Sequence, residues 1–303
     1  MFKAFRIWVS GIVIGVGAMI PVSAPDAATG SALKHGEYVF RIAGCRTCHT
    51  TAADRKNNVF LAGGRSLKTP FGTYYSPNIT PDPDFGIGKW SRQDFIRALR
   101  QGKNPDGDNY FPVFPYVSYT RMSDQDMSDL WAFLQTLPPV ARQNKDHEAG
   151  LIFGSRFMVG PWKLINFQPG PLAPIPNQSE IWNRGRYLVD ALGHCGECHT
   201  PRDKLGGIRT GMYLAGTPDG PGGDTVPNIT PDEKTGIGAW SIDDYDSLLS
   251  MGMLPDGDFV GGSMGEVIKN TESLTDIDRK AIATFLKTVP AVSHKISKNV
   301  QKK

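Results

Sequence analysis

Shifted along itself by 150 residues, the chain lays Cys45, Cys48 and His49 on Cys195, Cys198 and His199, and Pro77-Asn78-Ile79-Thr80-Pro81-Asp82 on Pro227-Asn228-Ile229-Thr230-Pro231-Asp232. Gly86-Ile87-Gly88 and Trp90-Ser91 match Gly236-Ile237-Gly238 and Trp240-Ser241 in the same register, as does Pro105-Asp106-Gly107-Asp108 with Pro255-Asp256-Gly257-Asp258. Beyond Asp108 the shift becomes 152, pairing Asp124 with Asp276, Asp126 with Asp278, Phe133 with Phe285 and Pro138 with Pro290. Upstream it is 149, pairing Gly36-Glu37-Tyr38 with Gly185-Arg186-Tyr187, so the spacing makes His194 an insertion before the second motif. At 303 residues the duplication implies two related domains, each large enough for its own core, and no solenoid. The expected boundaries are 31–140 and 179–295, with a proline-rich connector at 141–178 and a basic tail at 296–303.

Each copy reads as helices separated by long loops, and the expected fold class is all-α. Helical segments at 31–43 and 180–192 lead into the two cysteine motifs. Ser91 with Asp94, Ser241 with Asp244, Ser123 with Asp126 and Thr275 with Asp278 have the spacing of N-terminal capping boxes. After Ser123, Met127, Leu130, Trp131 and Leu134 recur at i, i+3, i+4 and i+7, which gives one apolar face. The stretch from Leu151 to Phe167 is apolar but broken by Gly154, Gly160 and Pro161; a strap across both copies is the plainer reading, and membrane contact stays open.

Lys3 and Arg6 precede an apolar run from Ile7 to Ile20 and a small, polar stretch to Gly30. That layout predicts a secretory signal at 1–28, with an uncleaved anchor as the alternative, and hence a periplasmic protein, free or held at the outer face of the inner membrane. A net charge of +3 gives no electrostatic basis for binding nucleic acid.

All 4 cysteines fall in Cys45-Arg46-Thr47-Cys48-His49 and Cys195-Gly196-Glu197-Cys198-His199. In such a site two thiols add to the vinyl groups of haem and the histidine after them ligates the iron. A zinc or redox-disulfide reading suits one Cys-x-x-Cys alone, but not two copies each followed by His in an exported chain with no further cysteine. The expected cofactors are two covalent haem c groups, with His49 and His199 as proximal ligands.

The sixth ligand separates electron transfer from catalysis at an open iron. In the first copy only Met122 and Met127 follow the motif; Met127 belongs to the helix stripe, which makes Met122 the candidate. In the second, the counterpart of Met122 is Leu274, and the choice lies among Met212, Met251, Met253 and Met264. Met264, in the glycine-rich run Gly261-Gly262-Ser263-Met264-Gly265, is the better candidate. His194 reads as a surface or packing residue. Asn78 and Asn228 suit either a haem propionate or plain turn chemistry. Asp106-Gly107-Asp108 and its repeat lack the full calcium-loop pattern and read as turns.

With its paired Cys-x-x-Cys-His motifs, Ser76-Pro77-Asn78-Ile79-Thr80-Pro81-Asp82, Phe114-Pro115-Tyr116 leading to Met122, and Trp182-Asn183-Arg184-Gly185-Arg186-Tyr187-Leu188-Val189 leading to Cys195, the chain resembles the cytochrome c subunits of bacterial alcohol, gluconate and related sugar or aldehyde dehydrogenases. The resemblance implies tandem class I cytochrome c domains with axial methionines at Met122 and Met264. It also implies electron transfer from a flavin, quinoprotein or molybdenum dehydrogenase subunit toward a downstream cytochrome, oxidase or quinone, with no catalytic site on this chain. Two motifs stand here against the three usual in that group, which favours a dihaem shuttle or bound subunit over direct quinone reduction. The alternative is a dihaem peroxidase or thiosulfate-oxidising enzyme with one iron lacking methionine.

Overall fold

The computed structural model describes residues 29–150 and 154–297; the leader expected at 1–28 and all but the first residues of the basic tail lie outside them. In chain order the elements are α1 (Gly30–Ile42), α2 (Cys45–His49), α3 (Ala52–Lys56), β1 (Ser66–Thr69), β2 (Gly72–Tyr75), α4 (Arg92–Gln101), α5 (Tyr116–Tyr119), α6 (Asp124–Leu134), β3 (Glu148–Ala149), α7 (Val159–Asn166), α8 (Glu180–Tyr187), α9 (Gly196–His199), α10 (Ile242–Met251), α11 (Gly262–Thr271) and α12 (Asp276–Leu286). A π-helical turn, Leu188–Leu192, continues α8. Among the described residues no helix is long and apolar enough to cross a membrane.

The all-α expectation is corrected by a three-stranded antiparallel sheet in the order β1-β2-β3, which makes the fold mixed. Thr69 and Gly72 close a tight hairpin between β1 and β2, and Gly72 at φ +141° takes a conformation that a side chain would oppose. Thr73, Tyr74 and Tyr75 suit a pleated, half-buried strand. The third strand comes from the connector, pairing Gly72 with Ala149 and Thr73 with Glu148. Neither helical periodicity nor the repeat signals it. The second copy makes only an isolated bridge, Thr217 to Val226, at the matching place.

That difference traces to compensating length changes inside the apparently unbroken register of 150. Gly63 donates to His49 O and Gly216 to His199 O, and both glycines have positive φ, so Gly216 is the equivalent of Gly63. The second copy is therefore three residues longer after its motif and three shorter in the hairpin.

Each copy is built on one close helix crossing, α1 on α6 and α8 on α12. A Cβ on Gly36 would stand 2.0 Å from Asp129 O, and one on Gly185 1.9 Å from Ala281 O, so only glycine lets these backbones meet. Val39, Met127, Leu130 and Leu134 in the first copy, and Val189, Leu192, Ile282 and Phe285 in the second, belong to one connected apolar core.

The copies join by exchanging equivalent contacts, the signature of a two-fold relation. Tyr187 OH donates to Asp126, and Tyr38 OH to Asp278 at 2.6 Å. The same hydroxyls accept from Ser123 N and Thr275 N. Asp126 also takes His35 from its own copy, and Asp278 takes Arg184. Ser91–Asp94 and Ser241–Asp244 form reciprocal capping boxes. At Ser123 and Thr275 the cap accepts from the N3 backbone, but the N3 carboxylates turn to these tyrosines instead.

The connector crosses from one copy to the other. Lys163 Nζ on α7 donates to Gln101 O, Gly102 O and Asn109 Oδ1 of the first copy, and Trp162 Nε1 to Leu205 O of the second. The strap reading thus describes α7.

Candidate haem-attachment site

Helix α1 ends with Ala43 N donating to Val39 O, and Gly44 at φ +66° turns the chain into α2. The second copy reaches the same point through the π turn, in which Gly193 N donates to Leu188 O five residues back. The helix itself thus absorbs the extra residue, as π turns do. His194 is accordingly no insertion. It is the counterpart of Gly44, and its φ of +38° repeats the left-handed turn. Its ring packs edge-on against Tyr119 at 5.4 Å, so it is a contact between copies.

No two of the four cysteines are joined in a disulfide. Burial, with a smaller contribution from Cys48, pushes Cys45 up to about 12. Burial likewise takes Cys195 to about 12 and Cys198 to about 11, and raises Cys48. Cys48 and Glu197 both add to the rise at Cys198. Among the described residues no group of three or more His, Cys, Asp or Glu is gathered as a structural zinc site requires.

His49 Nδ1 lies 2.7 Å from Pro77 O, and His199 Nδ1 2.9 Å from Pro227 O. A carbonyl only accepts, so each Nδ1 carries the proton and each Nε2 keeps its lone pair. Burial lowers the pKa of both rings, outweighing those bonds, and keeps the imidazoles neutral. No described residue bonds either Nε2. Protected thiols followed by a neutral imidazole with a fixed tautomer are the donor set that haem c requires.

The two carbonyl acceptors went unrecognised in the sequence, although its Pro-Asn-Ile-Thr-Pro-Asp loops lie at the same distance after each histidine. Within those loops Asn78 and Asn228 are buried and committed to the chain. Asn78 Nδ2 donates to Val140 O and Arg142 O while its Oδ1 accepts from Thr80; Asn228 serves Val292 O and Thr230 in the same way. The turn reading therefore accounts for both asparagines. The Asp-Gly-Asp segments are turns as well, closed by the bridges Lys103–Asn109 and Met253–Phe259.

Met122 and Met127 are both fully buried, so burial alone does not choose between them. Met122 N donates to Tyr119 O and Leu274 N to Thr271 O, which makes Leu274 the structural as well as the sequence equivalent of Met122. Met264 lies in the first turn of α11, half-buried, where a glycine-rich loop was expected. Met251 is largely exposed at the end of α10; Met212 and Met253 are half-buried.

Residues 33–138 match the family model for cytochrome c. Over 87% of its length the chain is 46% identical to a "Diheme cytochrome c-type" protein of Cereibacter sphaeroides, of which it spans 88%. It is 38% identical to the cytochrome c subunit of a quinone-dependent alcohol dehydrogenase of Gluconobacter oxydans, over 86% of this chain and 55% of that one. It is also 38% identical to the cytochrome c subunit of a gluconate 2-dehydrogenase of Pantoea cypripedii, over 88% and 62%. The chain thus spans little more than half the length of those two dehydrogenase subunits. The likeness to the Cereibacter protein covers both motifs, and the matched pair of thiol and imidazole sites gives it a chemical basis: the chain belongs to the dihaem cytochromes c, electron-transfer proteins with covalently bound haem c.

Proposed function

We propose that this cytochrome accepts electrons from the catalytic subunit of an exported dehydrogenase of flavin, quinoprotein or molybdenum type and delivers them to a downstream cytochrome, oxidase or quinone. The observation that carries the reading is the duplicated imidazole geometry, in which Pro77 O and Pro227 O fix the Nδ1 proton of each ring and leave each Nε2 lone pair for an iron. Haem supplies one-electron chemistry at its iron. The chain's own residues would do the rest: Cys45 and Cys48 would fix one group and Cys195 and Cys198 the other, and His49 with Met122 and His199 with Met264 would be the side chains offered to the two irons. A methionine thioether held on each iron would leave no coordination position for substrate, which suits a carrier whose substrate is handled on another chain. The named relatives that are dehydrogenase subunits support such a partner.

The test is the methionine-to-iron charge-transfer band of the oxidised protein. Met122→Ala and Met264→Ala should each remove half of it; a variant that leaves the band intact refutes that ligand. Reduction by a co-purifying dehydrogenase plus its substrate, and no reduction by substrate alone, tests the partner. Export with removal of residues 1–28 belongs to the same proposal, and the mass of the mature chain decides it.

A further inference from the structure

The two attachment loops are equivalent in backbone and opposite in charge. Between its cysteines the first copy places Arg46 and Thr47, and the second Gly196 and Glu197, a difference of two unit charges at matching positions. Packing widens it. Arg55 Nη2 donates to Thr47 O at 3.2 Å, and the Arg65 guanidinium donates to the same carbonyl. Arg46 stacks 3.7 Å from the centre of the Phe60 ring. Of these cations Arg55 is paired, with Glu266. Neither Arg46 nor Arg65 makes an ion pair among the described residues.

Around the second motif carboxylates take that place. Glu197 accepts from Ser118 Oγ at 2.7 Å and pairs with Arg202. Asp190 accepts from Tyr213 OH, with Arg121 and Arg186 each 3.7 Å away. The Ser118–Glu197 contact has an uncharged equivalent across the interface, Asn270 with Thr47. The scaffold is thus shared by the two sites; what differs is that the first carries the guanidinium groups of Arg46 and Arg65 without an ion pair among the described residues, whereas the second carries carboxylates that arginines counter.

We propose that Arg46, Arg65 and Glu197 order the two sites, so that the haem on Cys45 and Cys48 is reduced in preference to the haem on Cys195 and Cys198. The ferric state carries one positive charge more than the ferrous state. A nearby guanidinium therefore favours the electron, and a nearby carboxylate disfavours it. The proximal imidazoles are held alike in both copies, so they do not set this order. It makes the second copy the donor-facing end of a downhill relay and the first the acceptor-facing end. The inference rests on the proposed electron transfer with one axial methionine per site.

The experiment is a spectroelectrochemical titration of the intact holoprotein, with each wave assigned by its response to Met122→Ala or Met264→Ala. Partial exposure screens these charges, and removing one should change the reduction equilibrium of its own site about threefold to tenfold, where tenfold corresponds to about 59 mV for one electron. Arg65→Gln and Arg46→Gln should lower the upper wave and leave the lower one in place. Glu197→Gln keeps an acceptor for Ser118 and should raise the lower wave. Combining Arg65→Gln with Glu197→Gln should draw the two together. If the upper wave belongs to the second copy, or if neither charge removal moves its own wave, the proposal is wrong. The charge-transfer band, read on the same samples, reports separately whether the methionine ligation holds.

Discussion

Asp278 is the residue on which the second copy's own packing and its junction with the first both depend. Its carboxylate is buried and accepts Arg184 Nε at 2.8 Å, Arg184 Nη2 at 2.7 Å and Tyr38 OH at 2.6 Å. Hydrogen bonds to a charged group are worth about 1.5–3 kcal/mol each, but they do not add, and the one-third exposed Arg184 regains water when its partner is removed. Asp278→Ala should therefore cost about 3–4 kcal/mol, and Tyr38→Phe, which keeps the arginine pair, about 1–2 kcal/mol. At about 2–4 °C per kcal/mol for 150–250 residues, the first variant should melt roughly 10 °C below the parent protein at pH 7. Burial raises the Asp278 pKa, but the bonds from Arg184 and Tyr38 outweigh it and hold the carboxyl below its usual value. Its contribution is thus present above the unfolded carboxylate pKa of about 3.9 and is lost as pH falls through the folded value. Calorimetry of both variants from neutral to acid pH should show the gap to the parent closing at the acid end. Equal melting of Tyr38→Phe and parent, or a gap that widens in acid, would refute the reasoning.

Gly185→Ala and Gly36→Ala should each prevent a helix crossing from closing, since the added carbon would sit within 2.0 Å of a backbone oxygen. The expected result is loss of soluble protein carrying both haems, read as the haem-to-protein absorbance ratio. Asn78→Ala strands the Val140 and Arg142 carbonyls and should cost about 2–3 kcal/mol in chemical unfolding while leaving one haem per motif.

The repeat made much of the architecture legible, because residues that recur at a fixed spacing are those that backbone geometry constrains: the thiols, the imidazoles, the caps and the glycines at the crossings. What escaped the sequence depends on contacts with no local pattern. The strand Glu148–Ala149 exists because a connector residue meets Gly72, and no periodicity in two residues announces that. His194 looked inserted because letters were counted, whereas the chain absorbed the residue one turn earlier by widening the helix. The capping-box spacing at Ser123 and Thr275 was read correctly as a helix start, yet the carboxylates serve the other copy, a use that only a two-fold arrangement creates.

Met122 and Leu274 stand at equivalent positions in the two copies, and that difference gives the proposed methionine ligation a sharp test. Both residues are buried, and both amides close the same turn, Met122 N on Tyr119 O at 3.0 Å and Leu274 N on Thr271 O at 2.9 Å. Leucine and methionine have nearly the same volume, so Leu274→Met should cost less than about 1.5 kcal/mol. If position 122 serves the first iron, position 274 lies where a thioether would serve the second. Met264→Ala alone should halve the charge-transfer band, and Met264→Ala with Leu274→Met should restore it. Restoration would establish that the second copy offers two distal positions and that the present chain uses the one the first copy does not. A band halved by Met264→Ala and not restored would show that the turn before α12 stands farther from its iron than the turn before α6. That would follow from α11, a ten-residue helix where the first copy has the four residues of α5.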